Sequence, residues 1–126
     1  MLASVNRLTS GPVFAETIKR GSRAGTGTVV LHLQLGETGP EAPARVGLVV
    51  NRQIGNAVTR NKVKRRLRAL ARERLGSLPG SAVLVVRALP AAATASYAEL
   101  GADLDRALSK VLSRSLRGGL AEGGAP

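Results

Sequence analysis

The sequence is poor in the residues on which many protein active sites depend. Its 126 residues include no cysteine, no tryptophan, one histidine, one tyrosine and one phenylalanine. The lack of cysteine excludes disulfides and thiolate metal sites. Because His32 is the only histidine, a metal site with two histidine ligands is impossible. Nucleophilic catalysis by a Ser–His or Cys–His pair would depend on this one imidazole.

Acidic residues are also scarce, since 8 Asp and Glu stand against 19 Lys and Arg. Asp103 and Asp105 are two positions apart, so on a helix they do not face each other. Glu37 and Glu41 lie in a loop rich in glycine and proline. No group of carboxylates resembles a two-metal nuclease site. If this chain takes part in nucleic-acid cleavage, we expect the catalytic metal ions to be held elsewhere.

The formal net charge of +11 and the isoelectric point near 11.7 indicate a polyanionic partner. A membrane is disfavoured as that partner, because no apolar run approaches the roughly 18 residues of a spanning helix. The N-terminal residues carry no apolar run of signal-peptide length. These features predict a soluble, cytoplasmic protein, and the length suits one domain.

Positive charge is concentrated in one segment that has the periodicity of an amphipathic helix. At about 100° per residue, Val63, Leu67, Leu70 and Ala71 share one stripe. The sequence predicts a helix over about residues 57–75 whose apolar stripe packs against the protein core. The surrounding basic residues are Arg60, Lys62, Lys64, Arg65, Arg66, Arg68, Arg72 and Arg74, with Arg52 just upstream and Glu73 as the one acid.

Such a density of like charge destabilises an isolated helix, because each i, i+4 pair costs about 0.2–0.5 kcal/mol. Phosphates that neutralise the basic face are the simplest reason for tolerating it, and a solvated basic face is the alternative. Asn56 is the predicted N-cap after the turn residue Gly55. A helix N-terminus suits phosphate, and Asn61 projects from the first turns toward a sugar or base.

The other elements follow from hydrophobic patterning and turn residues. A short helix is predicted over residues 10–21, and strands over 29–35 and 45–51, which we expect to pair as a hairpin. The almost wholly apolar run 82–88 predicts a central strand buried on both faces. A last helix begins near Ser96.

The resulting order, α-β-β-α-β-α, predicts an α+β or α/β two-layer sandwich with helices packed on one sheet. Residues 1–114 form the predicted domain. The last segment, 115–126, is rich in glycine and alanine and is predicted to be a flexible tail.

Two consecutive pieces of sequence, Arg45–Val50 and Ile54–Arg68, closely resemble the signature of the bacterial ribonuclease P protein component. Asn6–Leu8, followed by Phe14 and Lys19–Gly21, resemble the N-terminal segment of that family. The resemblance implies a mostly four-stranded sheet and a left-handed β-α-β crossover built around the basic helix. Pattern reasoning alone would favour the right-handed form. An additional short strand is then needed, and Ala24–Gly27 is one place for it.

The resemblance also implies a function. In this family the RNA subunit is the catalyst, and the protein assists it in removing the 5′ leader of precursor tRNA. We therefore expect a non-catalytic protein subunit of an RNA-based endoribonuclease, with one protein per RNA. Mg²⁺ is expected as the cofactor, held mainly by the RNA, and no catalytic residue is expected in the protein.

Residue by residue, the resemblance implies two binding surfaces. A cleft for the single-stranded leader is implied at Phe14, Ile18 and His32, where Ile18 and His32 stand at positions that are often aromatic in relatives. Because base stacking contributes about 1–3 kcal/mol per base, Ile18 is expected to weaken that contribution while keeping an apolar wall. The surface for the RNA subunit is implied at Arg52, Arg60, Asn61, Lys62, Lys64, Arg65 and Arg68.

Two other functions agree with the composition. One is a ribosomal or other structural RNA-binding protein, which only the motif separates from a ribonuclease P subunit. The other is a DNA-binding regulator with the basic helix in a major groove. A DNA-binding function would predict a preference for duplexes and usually a dimer, yet the sequence has no obvious dimerisation heptad.

Overall fold

Three α-helices and four β-strands form within residues 3–36 and 42–124, which the computed structural model describes, with side chains up to residue 116. The helices are α1 (Gly11–Arg20), α2 (Ala57–Glu73) and α3 (Tyr97–Gly124), and the strands are β1 (Ser22–Gly25), β2 (Val29–Gln34), β3 (Arg45–Val49) and β4 (Val83–Ala88).

The strands form one mixed sheet in the order β1-β2-β4-β3. β4 pairs antiparallel with β2 and parallel with β3, so it is central, as its apolar sequence predicted. The predicted hairpin between residues 29–35 and 45–51 is wrong, because β4 lies between those two strands. Residues 83–86 of β4 are buried, because β4 lies between β2 and β3 and both of its faces are covered by helices.

The partner of β2 at its other edge is the short strand β1, with the register running from Ser22 opposite Leu33 to Gly25 opposite Val30. β1 overlaps the place considered for an additional strand at Ala24–Gly27. Its four residues contain one apolar side chain, Ala24, which is buried. Pairing with β2, rather than its own sequence pattern, therefore defines this strand.

Alternate residues of β4 face two separate cores. Leu84 and Val86 belong to the larger core, together with residues of α2 and α3 such as Leu67 and Leu104. Val83 and Val85 belong to a smaller core under α1. The predicted α+β fold with a four-stranded sheet is confirmed. The structure has one layer more than the two-layer arrangement, because α1 lies on the opposite face from α2 and α3.

Helix α2 connects the parallel strands β3 and β4, so the expected β-α-β crossover is present, and its hand stays a prediction. Arg74 fastens the end of α2 to α3 through two hydrogen bonds to the carboxylate of Asp105. Helix α3 continues beyond Arg114, and Ser115 is buried. The flexible tail predicted for residues 115–126 stays a prediction.

Candidate nucleic-acid interface

Two side-chain caps precede α2: Asn51 caps the short 3-10 turn Arg52–Ile54, and Asn56 caps α2 itself. Asn51 accepts a hydrogen bond from the backbone N–H of Gln53 at 3.1 Å, and Asn56 accepts one from that of Thr59 at 2.9 Å. Between them Gly55 has φ of +146°, a conformation that other residues rarely adopt. These local signals fix where α2 begins, and the predicted N-cap is confirmed.

The core side of α2 is the predicted apolar stripe: Val63, Leu67, Leu70 and Ala71 are buried. The basic residues lie on both sides of this stripe. Arg66 donates a hydrogen bond to the carbonyl of Ala95 at 3.1 Å, so one side borders the segment before α3. Arg66 therefore has a contact within the protein.

The other side of α2 borders β3 and the N-terminal segment. Lys64 and Arg68, one turn apart, line a cavity there with a volume of about 200 Å³. We call this cavity the edge cleft, because β3 is one of the two edge strands of the sheet. The floor is apolar and the rim is cationic. Its lining residues are Arg7, Leu8, Thr9, Phe14, Val46, Leu48, Lys64 and Arg68.

The residues predicted to bind the RNA subunit differ in how far their side chains are exposed to solvent. Lys62 and Lys64 are half-buried, and so is Arg60, whose Nε has no hydrogen-bond partner among the described residues. A half-buried lysine can keep its ammonium group at the surface while its alkyl stem packs on the helix, whereas Nε of Arg60 is itself buried. The exposed residues of the set are Arg52, Asn61, Arg65 and Arg68.

Phe14 can approach the backbone of the sheet closely because Gly47 of β3 has no side chain there. A β-carbon at Gly47 would lie 2.2 Å from Cζ of Phe14, far inside van der Waals contact. Phe14 also lines the edge cleft, and with Ile18 it packs on Val85 in the smaller core. Of the predicted leader residues, Phe14 is thus the one that reaches the basic helix.

His32 lies on the same face of the sheet but is only 3% exposed. Neither ring nitrogen has a hydrogen-bond partner among the described residues. Burial lowers the pKa of His32, and the charges of Arg87 and Arg23 lower it further. The imidazole is therefore neutral at pH 7, and a nucleotide cannot reach its nitrogens unless neighbouring side chains move.

Three cations near these residues were not among the predicted site residues. Arg7 lines the edge cleft, Arg23 pairs with His32 across β1 and β2, and Arg87 is half-buried on β4. A basic residue in an otherwise apolar strand is the one sequence signal for Arg87. The position of Arg23 depends on a strand that the sequence pattern does not reveal.

The acids that form ion pairs among the described residues lie at the end of α2 or on α3. Glu73 and Asp105 pair with Arg74, and Asp103 pairs with Arg106. None of these pairs involves the basic residues of α2 between Arg60 and Arg72. The positive field of that segment is therefore not compensated by an ion pair within the described chain.

Metal ligands do not come together where the structure describes side chains, in residues 3–36 and 42–116: no group of three His, Asp or Glu side chains is arranged to hold an ion there. Within the same residues no helix is both long and apolar enough to cross a bilayer. Fold and surface thus define a class, an α+β protein with a basic helix beside an apolar cleft, suited to binding a polyanion.

Comparison with known proteins identifies the family. The ribonuclease P family model matches residues 2–112. The ribonuclease P protein component of a Nocardioides species is 62% identical over 111 residues, covering 88% of this chain and 95% of its own. That of Streptomyces avermitilis is 47% identical over 123 residues, covering 93% of this chain and all 100% of its own.

Solved structures agree on the fold. The RNase P protein from Staphylococcus aureus superimposes with a TM-score of 0.72 at 24% identity, covering 84% of this chain and 96% of its own. The RNase P protein from Thermotoga maritima gives a TM-score of 0.71 at 24% identity, covering 83% and 96%.

The chain therefore belongs to the ribonuclease P protein family. It is a protein component of the ribonucleoprotein that matures the 5′ end of tRNA, and it associates with the ribonuclease P RNA. The predicted RNA-binding function in tRNA processing is confirmed.

Proposed function

We propose that this chain contacts the ribonuclease P RNA through the basic helix α2 and holds the 5′ leader of precursor tRNA on the opposite face of the sheet. The protein contributes no catalytic residue. One protein binds one RNA subunit in the cytoplasm, and the RNA holds most of the Mg²⁺ that the cleavage requires.

The observation that carries this proposal is the edge cleft, which joins the two surfaces. Lys64 and Arg68 of α2 form its rim, and Phe14 of α1 forms part of its apolar floor. A nucleotide in the edge cleft would place its base on apolar side chains and its phosphate near two cations. We call Phe14, Ile18 and His32 together the leader surface. A nucleotide in the edge cleft would connect this leader surface directly to the surface for the RNA subunit.

The proposed RNA-subunit residues are those on the exposed and half-buried surface of α2 and just before it. Phosphate contacts position an RNA without reading its sequence, which suits a row of Arg and Lys with little aromatic content. Asn61, exposed in the first turns, adds an amide that can bond a sugar or base. The full set is Arg52, Arg60, Asn61, Lys62, Lys64, Arg65 and Arg68.

The proposed leader residues differ in what they provide. Phe14 offers a ring for stacking, and Ile18 offers an apolar wall. His32 is too buried to stack, so its contribution is to shape the floor beneath them. We therefore expect one strong stacking position on this surface rather than three.

The mechanism is positioning. Binding energy from the leader and the RNA subunit is used to hold the scissile bond at the metal ions of the RNA, which lowers the entropic part of the barrier. The positive surface of α2 reduces repulsion between leader and RNA phosphates. This separation of roles explains how a chain without a carboxylate cluster in its described residues can belong to a nuclease.

Binding of precursor tRNA to the assembled ribonucleoprotein tests the proposal. Phe14→Leu keeps an apolar side chain but removes the stacking ring, so we expect affinity for a substrate with a leader to fall by about 1–3 kcal/mol. Affinity for mature tRNA should not change, and this comparison is the control. Equal losses for both substrates would contradict a role of Phe14 in leader binding.

A further inference from the structure

A second cationic surface lies at the edge of the sheet opposite α2. Arg106, Lys110 and Arg114 follow one another at i, i+4 and i+8 on α3, and all three are exposed. With spacing of one turn they form a continuous row along the helix. The side chain of Arg106 is 61% exposed.

Two contacts show that this row lies over β1. The carboxylate of Asp103, on the same side of α3, accepts a hydrogen bond from Thr28 at 2.8 Å, just before β2. The guanidinium of Arg114 donates to the backbone carbonyl of Arg23 in β1. β1 has a partner strand on one side only, so the row borders the free edge of the sheet.

The charge of this surface is mostly uncompensated. Among the described residues, Arg106 pairs with Asp103, whereas no ion pair involves Lys110, Arg114 or Arg23. Like charges one turn apart on a helix repel each other and destabilise it. If the row lay far from any bound ligand, hydration of its charges would be a sufficient explanation for it.

The row lies near a proposed ligand, because the leader surface ends at this edge. Phe14 covers Gly47 on β3. From Gly47 the register leads across the sheet to Val85, then His32, then Arg23 on β1. At about 4.8 Å between strands, the three steps span about 14 Å.

A strand of RNA that lies along α1 from the edge cleft therefore leaves the sheet at Arg23. Arg87, two residues beyond Val85 on β4 and opposite Val30 of β2, adds a half-buried cation to this path. Around the edge, on α3, lie Arg114, which donates to the backbone carbonyl of Arg23, and Lys110, one turn before Arg114. The cations continue from one face of the sheet to the other without an intervening ion-paired acid among the described residues.

We propose that Arg23, Lys110 and Arg114 form an exit surface, which binds phosphates of leader nucleotides that extend beyond the leader surface, away from the cleavage site. This inference rests on the proposed leader binding. The exit surface reads no sequence, because it offers charge but no stacking ring. It favours precursor tRNAs with long leaders over those with leaders that end within the leader surface.

The test compares precursor tRNAs with a long and a short leader, bound to the assembled ribonucleoprotein over a range of salt concentrations. The variant Arg23→Gln with Lys110→Gln removes two cations but keeps the backbone carbonyl that Arg114 contacts. For the long leader we expect the slope of log affinity against log salt to fall by about 1.4, from 0.7 per phosphate on a single strand. For the short leader the slope should not change.

The matched control is Arg23→Lys with Lys110→Arg, which keeps both charges and should keep the long-leader advantage. An unchanged advantage in the glutamine variant would overturn the exit surface, as would equal losses for both leader lengths or weaker binding of the RNA subunit. Failure of the underlying leader binding is a different result, since unaltered protein would then show no difference between a short leader and none.

Discussion

Substitution of Gly47 by alanine tests how the leader surface is built. The new β-carbon would lie 2.2 Å and 2.4 Å from two ring atoms of Phe14 and 3.0 Å from Cδ2 of Leu8. Carbon atoms in good contact are about 3.5–4.0 Å apart. The ring must therefore move by more than about 1 Å, away from the sheet and toward the solvent side of α1.

The cost follows from how freely the ring can move. Overpacking a core costs about 1–3 kcal/mol. Phe14 is half-buried, so its ring has space to move outward, and we expect a value near the lower end. We predict that Gly47→Ala lowers the free energy of unfolding by about 1 kcal/mol. It should also weaken leader binding, because the displaced ring no longer forms the floor of the edge cleft.

Urea unfolding of a double-mutant cycle is the assay. In the background of Phe14→Ala the ring is absent, so Gly47→Ala should cost close to nothing there, and the coupling should equal about 1 kcal/mol. Gly76→Ala is the control, since a β-carbon at Gly76 meets nothing within 4 Å. Additive effects of the two substitutions would refute the close contact between Phe14 and Gly47.

Three further predictions concern the cap, the buried histidine and the basic helix. Asn56→Ala, which removes the hydrogen bond to the N–H of Thr59, should lower the free energy of unfolding by about 1 kcal/mol, whereas Asn56→Asp should not, as thermal melts will show. Because burial lowers the pKa of His32, the histidine of the unfolded chain is protonated before that of the folded chain as the pH falls. The contribution of His32 to stability should therefore be complete above a pH of about 6.5 and decrease below it. His32→Gln should flatten this pH dependence of the free energy of unfolding, and an unchanged pH dependence would contradict the prediction. Arg60→Ala or Arg68→Ala should reduce the salt slope of RNA-subunit binding by about one phosphate contact, 0.7–0.9, and an unchanged slope in both would count against that face of α2.

Local signals made α2 predictable from the sequence. Its N-cap and its apolar stripe are encoded within a few residues of each other, so periodicity alone identified the buried positions Val63 and Leu67. The structure ends the helix at Glu73 rather than near Leu75, which is within the usual fraying of helix ends. The central strand was equally clear, because a run in which Arg87 is the one polar residue is best buried between two other strands.

Pairing between strands was not predictable in the same way. The choice of β4 rather than β3 as the neighbour of β2 depends on contacts between residues far apart in the chain. The same holds for β1, in which a single buried side chain, Ala24, gives too little periodicity to detect. The edge cleft also needed the structure, because Phe14 and Arg68 are distant in sequence and meet only through the sheet.

Cleavage of precursor tRNA by a bacterial ribonuclease P RNA, at low Mg²⁺ with and without this protein, tests the central claim most directly. We expect strong stimulation of cleavage, which depends on the presence of the 5′ leader and is reduced by Phe14→Leu. Stimulation that does not depend on the leader would contradict the leader surface. No stimulation, together with tight binding to unrelated structured RNA, would contradict the proposed mechanism altogether.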